Sequence, residues 1–342
     1  MSLKENWYIA AESRELKRKP LGLELYGEKI VLFRDEKNEP AALEDRCAHR
    51  NLELSQGRAI GGCVECQYHG WRYNGAGALT AVPSLGSNAC IPNHRVRAFP
   101  TIERDGFIWV FLGKSSPQQR PFQFPHIAED GWTTFRMKTR FEASVESCLE
   151  NFLDCPHTVF VHKGWFRSHD TRELTAVVQA APNSVEARFR GEPISKSVVS
   201  RLFFPKGREL WHTDRFEMPN ISRVDYDFGP DRHFIITSQC TPIAEFETEV
   251  YTVITFRFGR LGALVRLVFE PLSRHIIQQD VDVLRAQTRQ IRRFDGPRFA
   301  HVETDLLGLK IHSLRRHAER QSERNEPSRK EGEEPREISI CF

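Results

Sequence analysis

The chain has 342 residues, of which 39% are hydrophobic and 28% are charged. This composition excludes a fully disordered protein and is sufficient for two ordinary domains or one large one. A formal net charge of +3 gives no indication of nucleic-acid binding. Since no run of about 18 apolar residues occurs and residues 1–6 lack the apolar core of a signal peptide, we expect a cytoplasmic protein without a membrane span.

The first 115 residues are predicted to form a small, mainly β, loop-rich domain. Residues 29–34 are a β-favouring run closed by a polar turn, and residues 106–113 are a continuous apolar run between glycines. The polar, proline-bearing stretch that follows predicts a linker, which we place at residues 116–134.

Residues 135–318 are predicted to form an α+β domain with an antiparallel sheet flanked by helices. Apolar and charged residues alternate over 135–141 and 224–228, as in half-buried strands, and further β-favouring runs cover 233–240, 248–258 and 263–269. Helices are expected at about 143–154 and 274–294. Residues 319–342 are highly charged and are predicted to be disordered, with a possible exception at the apolar end, 338–342.

Two short segments each supply one cysteine and one histidine. Cys47 and His49 form the first pair, and Cys66 and His69 form the second after sixteen intervening residues. Four such ligands in two short loops indicate a metal site. A zinc finger usually groups cysteines in one arm and histidines in the other, whereas an asymmetric two-iron cluster needs two thiolates and two imidazoles. Mononuclear zinc remains an alternative, and Cys63 is interpreted as structural.

These two arms resemble the Rieske [2Fe–2S] motif. The matching residues are Cys47-x-His49-Arg50 and Cys66-x-x-His69-Gly70-Trp71, and the opening at residues 6–10 is similar to Rieske domains of oxygenases. Gln67 stands where a common version of the motif has proline, but this position is not a ligand. The resemblance implies that Cys47, His49, Cys66 and His69 bind the cluster.

A second set of metal-ligand residues begins with His157 and His162. Five residues on a straight helix turn through about 140°, so these histidines can share a metal only if the helix ends or distorts between them. Pro156 gives a reason for a break. Two imidazoles and one carboxylate with open positions form a non-haem Fe(II) oxygenase site, so a third ligand is required.

The late helix offers Asp280 as this third ligand. On a helical projection Asp280 lies about 60° from Ile277, on the edge of the apolar stripe, whereas Asp282 lies about 140° from Ile277 among arginines. A carboxylate directed towards a core needs a partner, and a metal ion is one. Asp282 remains the alternative, with ordinary surface pairing as its expected role.

Asp154-x-x-His157-x-x-x-x-His162 resembles the pattern of Rieske non-haem iron oxygenases, over about residues 5–310. The resemblance implies a helix-grip type catalytic domain in which His157, His162 and Asp280 hold Fe(II). It also implies that Asp154 links His157 to the residue matching His69 in a neighbouring subunit, and therefore a head-to-tail homotrimer. Asn151 is a further residue that could lie near the iron.

The implied activity is that of a terminal oxygenase. A ferredoxin or reductase, which itself uses NAD(P)H and flavin, would deliver electrons through the cluster, and oxygen from O2 would enter a small apolar or aromatic substrate. The chain length favours monooxygenation or demethylation over cis-dihydroxylation. The competing hypotheses are a Rieske-type electron carrier fused to a non-catalytic ligand-binding domain and a structural zinc protein. We expect no nucleic-acid or membrane partner.

Overall fold

The computed structural model describes residues 3–86, 90–163, 173–190, 210–229, 232–259, 261–324 and 332–341. It divides into two compact units, one spanning residues 4–123 and the other spanning residues 124–342 together with the first three residues. No helix in the described ranges is long and apolar enough to span a membrane.

The N-terminal unit is built from short antiparallel strands. Over residues 4–86 and 90–123 they form a three-stranded sheet in the order β1–β11–β10 and two four-stranded sheets in the orders β2–β3–β4–β9 and β5–β6–β7–β8. The strands are β1 (Trp7–Glu12), β2 (Leu21–Leu25), β3 (Glu28–Arg34), β4 (Pro40–Glu44), β5 (Arg58–Ile60), β6 (Cys63–Glu65), β7 (Arg72–Tyr73), β8 (Leu79–Ala81), β9 (Ala98–Phe99), β10 (Thr101–Arg104) and β11 (Phe107–Phe111).

The apolar run predicted as a buried strand is β11. All five of its residues are buried, and it pairs with β1 on one side and β10 on the other. A second cluster of buried residues lies between β3, β4, β6 and β7 and includes Cys47, Cys66 and Tyr73. The loops that carry the cysteines are therefore anchored on a packed core.

The C-terminal unit is an antiparallel sheet with helices. Its described residues form an eight-stranded sheet in the order β12–β18–β17–β16–β15–β14–β13–β19. The strands are β12 (Thr133–Phe141), β13 (Glu173–Ala181), β14 (Ser184–Arg190), β15 (Trp211–Glu217), β16 (Ile221–Asp227), β17 (His233–Ala244), β18 (Glu247–Arg257) and β19 (Arg336–Cys341). The helices are α1 (Val145–Phe152), α2 (His157–Phe160), α3 (Gly262–Arg293) and α4 (Gly308–Arg324). The predicted fold class, an all-β domain followed by an α+β domain, is confirmed.

Residues 263–269, predicted as a strand, are instead the first turns of α3. The apolar run disguises a helical spacing, because Val265, Phe269, Leu272 and Ile276 follow one another at intervals of four, three and four residues. The first three of these side chains belong to or pack against one buried cluster with residues of β12, β17 and β18. Leu264, just before this series, and Leu267, within it, are exposed.

At the charged end of the chain, the helix to Arg324 differs from the prediction of disorder, and the strand at Arg336–Cys341 overlaps the exception predicted at 338–342. Helix α4 continues to Arg324, and β19 pairs antiparallel with β13. The reason is visible in two apolar patterns that the charges obscured. Ile311, Leu314 and Ala318 bury one face of α4, and Ile338 and Ile340 alternate into the same core. Residues 325–331 lie outside the described ranges.

Candidate active site and metal centres

The two Cys/His loops of the N-terminal unit share one backbone design. In each loop the cysteine N–H donates to the carbonyl five residues later, and the N–H four residues later donates back to the cysteine carbonyl. The distances are 2.8 and 2.9 Å for Cys47 N to Leu52 O and Asn51 N to Cys47 O, and 2.8 and 3.0 Å for Cys66 N to Trp71 O and Gly70 N to Cys66 O. The loops therefore present their cysteines in the same local geometry.

The tight reversal of each loop depends on one residue in the left-handed region. Asn51 has φ 61° and Gly70 has φ 71°, and both stand four residues after the cysteine. Asparagine and glycine are the residues that adopt this conformation most readily. A Cβ at Gly70 would also approach Pro83 Cγ to 2.9 Å, so the second loop has a second reason to use glycine.

The four predicted cluster residues lie on these loops, with the cysteines buried and His69 exposed. The rings of His49 and His69 lie 4.5 Å apart between centroids. His49 Nδ1 is buried and makes no hydrogen bond to the described residues. Burial lowers the pKa of His49, and His69 and Arg50 lower it further. A neutral imidazole with an unused nitrogen is the form that binds a metal.

The pKa of the Cys66 thiol is shifted in the opposite direction from that of His49. Burial raises the pKa of Cys66, and neighbouring Cys47 adds to the increase, while backbone N–H groups of Tyr68 and His69 oppose it. Two adjacent buried thiolates are costly unless a cation accompanies them. The four side chains therefore fit the mixed thiolate and imidazole ligation of an asymmetric iron–sulfur cluster.

Tyr73 contacts Cys47, one of the predicted cluster ligands, and the sequence did not predict this contact. Its hydroxyl accepts a hydrogen bond from Ala48 N at 3.2 Å and lies 3.4 Å from Cys47 Sγ. Because the oxygen already accepts from Ala48, its own hydrogen is available to Cys47. Burial raises the pKa of Tyr73 well above its usual range, and the sulfur contact adds to this. Cys63, interpreted as structural, is buried and contacts Thr80 Oγ1 at 3.7 Å.

In the C-terminal unit, the helix is interrupted just before His157. Helix α1 begins after Ser144, whose Oγ accepts from Ser147 N at 3.1 Å, and ends at Phe152. The short helix α2 follows Pro156, starts at His157 and ends at Phe160, before His162 is reached. Although α2 ends at Phe160, Val161 keeps helical dihedral angles (φ −75°, ψ −46°), so the break in the helix lies before His157 and not between the two histidines.

His157, His162 and Asp280 lie together. The two Nε2 atoms are 3.3 Å apart, and Asp280 Oδ1 is 3.1 Å from His162 Nε2 and 3.7 Å from His157 Nε2. Asp280 and His162 are buried, while Asp282 is exposed and bonds Arg285 at 3.2 Å. The structure thus brings Asp280, and not Asp282, to the histidines.

The hydrogen bonds of the two imidazoles fix which nitrogen faces the carboxylate. His162 Nδ1 lies 2.8 Å from Gln279 Oε1, and His157 Nδ1 makes a short contact to the Asp154 carbonyl oxygen. Each Nδ1 therefore carries the hydrogen, and each Nε2 presents a lone pair. Two lone pairs and a carboxylate oxygen that makes no hydrogen bond repel one another unless a cation lies between them. This set fits a divalent metal ion.

The nearby Asp280 carboxylate also shifts the pKa of His162. Burial opposes its protonation, but the Asp280 carboxylate outweighs burial and raises the pKa of His162 above its ordinary 6.5. A proton and a metal ion therefore compete for the same Nε2 atom.

Asp154 lies beside this set in a different manner from the one implied by the resemblance. Its carboxylate accepts from the backbone N of His157 at 3.3 Å, and its Oδ2 lies 3.6 Å from His157 Nδ1. The imidazole hydrogen goes instead to the Asp154 carbonyl. Asn151 Oδ1 is buried without a hydrogen-bond partner among the described residues, on the wall of the cavity next to these residues.

A cavity of about 140 Å³, partly open to solvent, extends from His157, His162 and Asp280. Its sheet wall consists of three rows of cross-strand neighbours: Met137, Thr252, Ser238 and Ser222; Ile254, Ile236, Val224 and Asp214; and Phe234, Tyr226 and His212. Phe269 and Asp280 both line it from α3, and their separation of eleven residues corresponds to about 16 Å. The cavity is therefore elongated and mainly apolar.

One further polar cluster faces this cavity. Cys155 Sγ donates to Asp214 Oδ2 at 3.1 Å, and His212 Nε2 lies 2.9 Å from Asp214 Oδ1. All three side chains are buried and line the cavity. None of these three residues was predicted from the sequence as part of a site. The spacing of two residues between His212 and Asp214 on a strand, which places both on one face, was the available signal.

Comparison with protein families gives one match in each unit. Residues 6–100 match the Rieske [2Fe-2S] domain, and residues 141–321 match the vanillate O-demethylase oxygenase C-terminal domain. The two matches contain every predicted metal ligand.

Curated relatives include oxygenase components of bacteria. The chain is 31% identical over 253 residues to the oxygenase component of dicamba O-demethylase from Stenotrophomonas maltophilia, covering 71% of this chain and 74% of that protein. It is 32% identical over 238 residues to a putative toluene-4-sulfonate monooxygenase iron-sulfur subunit from Comamonas testosteroni, covering 67% and 68%. The chain is 38% identical over 165 residues to chlorophyllide a oxygenase of Chlamydomonas reinhardtii, and this match covers 48% of this chain but only 25% of that longer protein.

Solved structures show the same fold. Dicamba monooxygenase bound to dicamba superposes with a TM-score of 0.82 at 24% identity, covering 94% of this chain and 98% of that one. NdmA of Pseudomonas putida CBB5, solved as a QL mutant with caffeine, superposes with a TM-score of 0.77 at 22% identity, covering 94% and 92%.

Proposed function

Because the chain belongs to the Rieske non-haem iron oxygenases, with a vanillate O-demethylase type catalytic domain, we propose that it is the terminal oxygenase of a cytoplasmic, NAD(P)H-linked system. The observation that carries the proposal is the convergence of His157 Nε2, His162 Nε2 and Asp280 Oδ1 at an elongated apolar cavity. In this proposal those three atoms hold Fe(II), and the cavity holds the substrate beside it.

When bound, the mononuclear iron supplies dioxygen activation, and the Rieske cluster supplies electrons one at a time. The residues of the protein orient the groups that would hold the iron. Gln279 and the Asp154 carbonyl orient the two imidazoles through their Nδ1 hydrogens. The apolar rows on β16–β18 exclude water from the substrate side, which limits unproductive oxygen reduction.

In the N-terminal unit, we assign Cys47 and Cys66 to one iron of the cluster and His49 and His69 to the other. The support is the matched geometry of the two loops and the unused nitrogen of His49. His69 is exposed, which suits a ligand that passes electrons to or from another protein. Members of this family receive electrons from a ferredoxin or reductase and bind small-molecule substrates.

Asp154 is proposed to mediate electron transfer between the centres. Its carboxylate lies 3.6 Å from His157 Nδ1, and its side chain is 35% exposed, so its outer oxygen is accessible to a partner group. The resemblance implies a partner group at this position, His69 of a neighbouring subunit, and we therefore propose a homotrimer in which each catalytic site receives electrons from an adjacent chain.

For the reaction, we propose monooxygenation or oxidative demethylation in preference to cis-dihydroxylation. Relatives carry such activities in their names, including dicamba O-demethylase and the 4beta-methylsterol monooxygenase of Methylococcus capsulatus. The mainly apolar sheet wall supports an apolar or aromatic substrate.

Metal content tests the proposal against the electron-carrier and zinc hypotheses. The oxygenase should contain about three irons per chain, a carrier about two, and a zinc protein no Rieske electron paramagnetic resonance (EPR) signal after reduction. A substrate screen that couples NADH and oxygen consumption through a generic reductase follows, with product mass after reaction in ¹⁸O₂. One labelled atom in the product supports hydroxylation, and loss of a methyl group with the label in the released formaldehyde supports oxidative demethylation. Two labelled atoms in the product would refute that preference in favour of dihydroxylation.

A further inference from the structure

The Asp214 cluster, formed by Cys155, His212 and Asp214, is a buried polar group on the wall of the cavity. We propose that Asp214 recognises the substrate by accepting a hydrogen bond from a hydroxyl or amine group, and that it selects against anionic substrates. This inference rests on the proposed function, since it assigns a substrate class to the same cavity.

The orientation of Asp214 is fixed by its two donors. His212 and Cys155 approach different carboxylate oxygens, at 2.9 and 3.1 Å. The His212 ring lies between Phe189 and Tyr226, with centroid distances of 4.6 and 4.4 Å and interplanar angles of 13° and 10°. This stacking holds the imidazole in place, so the carboxylate cannot turn away from the cavity without losing a bond.

The carboxylate keeps capacity for a ligand. A carboxylate can accept about four hydrogen bonds, and the two donors described occupy one site on each oxygen. Asp214 lines the cavity beside its cross-strand neighbour Val224, with Tyr226 and Ile236 further along the wall. In such apolar surroundings a donor on the substrate gains a charge-assisted hydrogen bond.

The same carboxylate disfavours an anion. The cavity lining in the described ranges contains no lysine or arginine, and of its buried acids Asp280 is assigned to the metal ion while Asp214 is not. A carboxylate or sulfonate beside Asp214 would therefore be desolvated next to a like charge, which is unfavourable. The lining favours a neutral or cationic molecule with one donor group on an apolar frame.

Binding of three probes with a shared frame tests this inference: 2-naphthol, naphthalene and 2-naphthoate, measured at pH 7 by equilibrium dialysis. The holoprotein with its Rieske absorbance is compared with Asp214→Asn, which keeps the side-chain volume. Asp225→Asn is the matched control, because Asp225 stands on the neighbouring strand β16, also pairs with a histidine, His233, and does not line the cavity.

The parent should bind 2-naphthol about tenfold more tightly than naphthalene, and 2-naphthoate least tightly. Asp214→Asn should weaken 2-naphthol binding about tenfold and strengthen 2-naphthoate binding, while Asp225→Asn should leave all three unchanged. An unchanged naphthol-to-naphthoate ratio in Asp214→Asn, an equal loss for all three probes, an effect of Asp225→Asn of similar size, or no binding of 2-naphthol to the parent would each overturn the inference. Dialysis requires no turnover, so this result is independent of the iron count and oxygen assay that test the proposed function.

Discussion

Replacement of Tyr73 by phenylalanine is expected to lower the reduction potential of the Rieske cluster by about 40 mV. The Tyr73 hydroxyl lies 3.4 Å from Cys47 Sγ and accepts from Ala48 N, so its hydrogen is directed to the sulfur. A donor to a thiolate ligand stabilises the reduced cluster, which carries more negative charge. If this hydrogen bond is about 1 kcal/mol stronger in the reduced state, the loss corresponds to about 40 mV, since tenfold in a one-electron equilibrium is 59 mV.

Spectroelectrochemical titration of the visible Rieske absorbance measures the shift directly. Tyr8→Phe is the matched control, because Tyr8 is also fully buried but lies on β1, in a different sheet. Its loss should leave the potential unchanged. A Tyr73→Phe potential within about 10 mV of the parent, or above it, would refute the assignment of Tyr73 as a donor to a cluster ligand.

Three further predictions concern the catalytic unit. Asp280→Ala should leave about two irons per chain with the Rieske EPR signal intact, whereas Asp282→Ala should retain about three; full iron retention in Asp280→Ala would move the ligand elsewhere. Asp154→Asn should keep both metals but slow single-turnover oxidation of the reduced cluster about ten- to a hundredfold, and parent-like rates would exclude its proposed role. Acid should weaken iron binding, because the raised pKa of His162 brings proton competition into the near-neutral range. In the iron-free protein, protonated His162 pairs with Asp280, and this pair contributes stability at low pH that is lost as pH rises through the pKa of His162. The Tm difference between the iron-loaded and the iron-free protein should therefore shrink as pH falls from about 8 to 5.5. A constant advantage would contradict this prediction.

The metal-binding residues could be predicted because each pattern is local. Cys47 and His49 are separated by a single residue, and one short loop determines where both side chains point. Asp280 required a longer argument, but helical phase is also a local property, and α3 does bury Asp280 while exposing Asp282. The assignment of these residues to iron stays a proposal.

Residues that act through distant contacts could not be predicted. Tyr73 meets Cys47 across 26 positions, and Gln279 meets His162 across 117. Cys155, which lies between α1 and α2, meets Asp214 of β15 across 59 positions. Nothing in the residues beside any of these positions marks the contact, because it depends on how separate elements pack.

Both incorrect secondary-structure predictions rest on segments too short to show the pattern of buried residues. Residues 263–269 are apolar throughout, and their helical spacing becomes visible only when Leu272 and Ile276 are included. The end of the chain is dominated by charge, and only the partner strand β13 shows why Ile338 and Ile340 are buried.

The pairing of β19 with β13 also protects the protein from self-association. Without β19, strand β13 would present nine residues with unpaired backbone groups and an alternating apolar face at the end of a large sheet, which is a template for edge-to-edge aggregation. The strand that replaces it at the edge carries exposed Arg336, Glu337 and Ser339. A charged, short edge of this kind resists the addition of another chain, so the last residues act as a solubility element for the catalytic sheet.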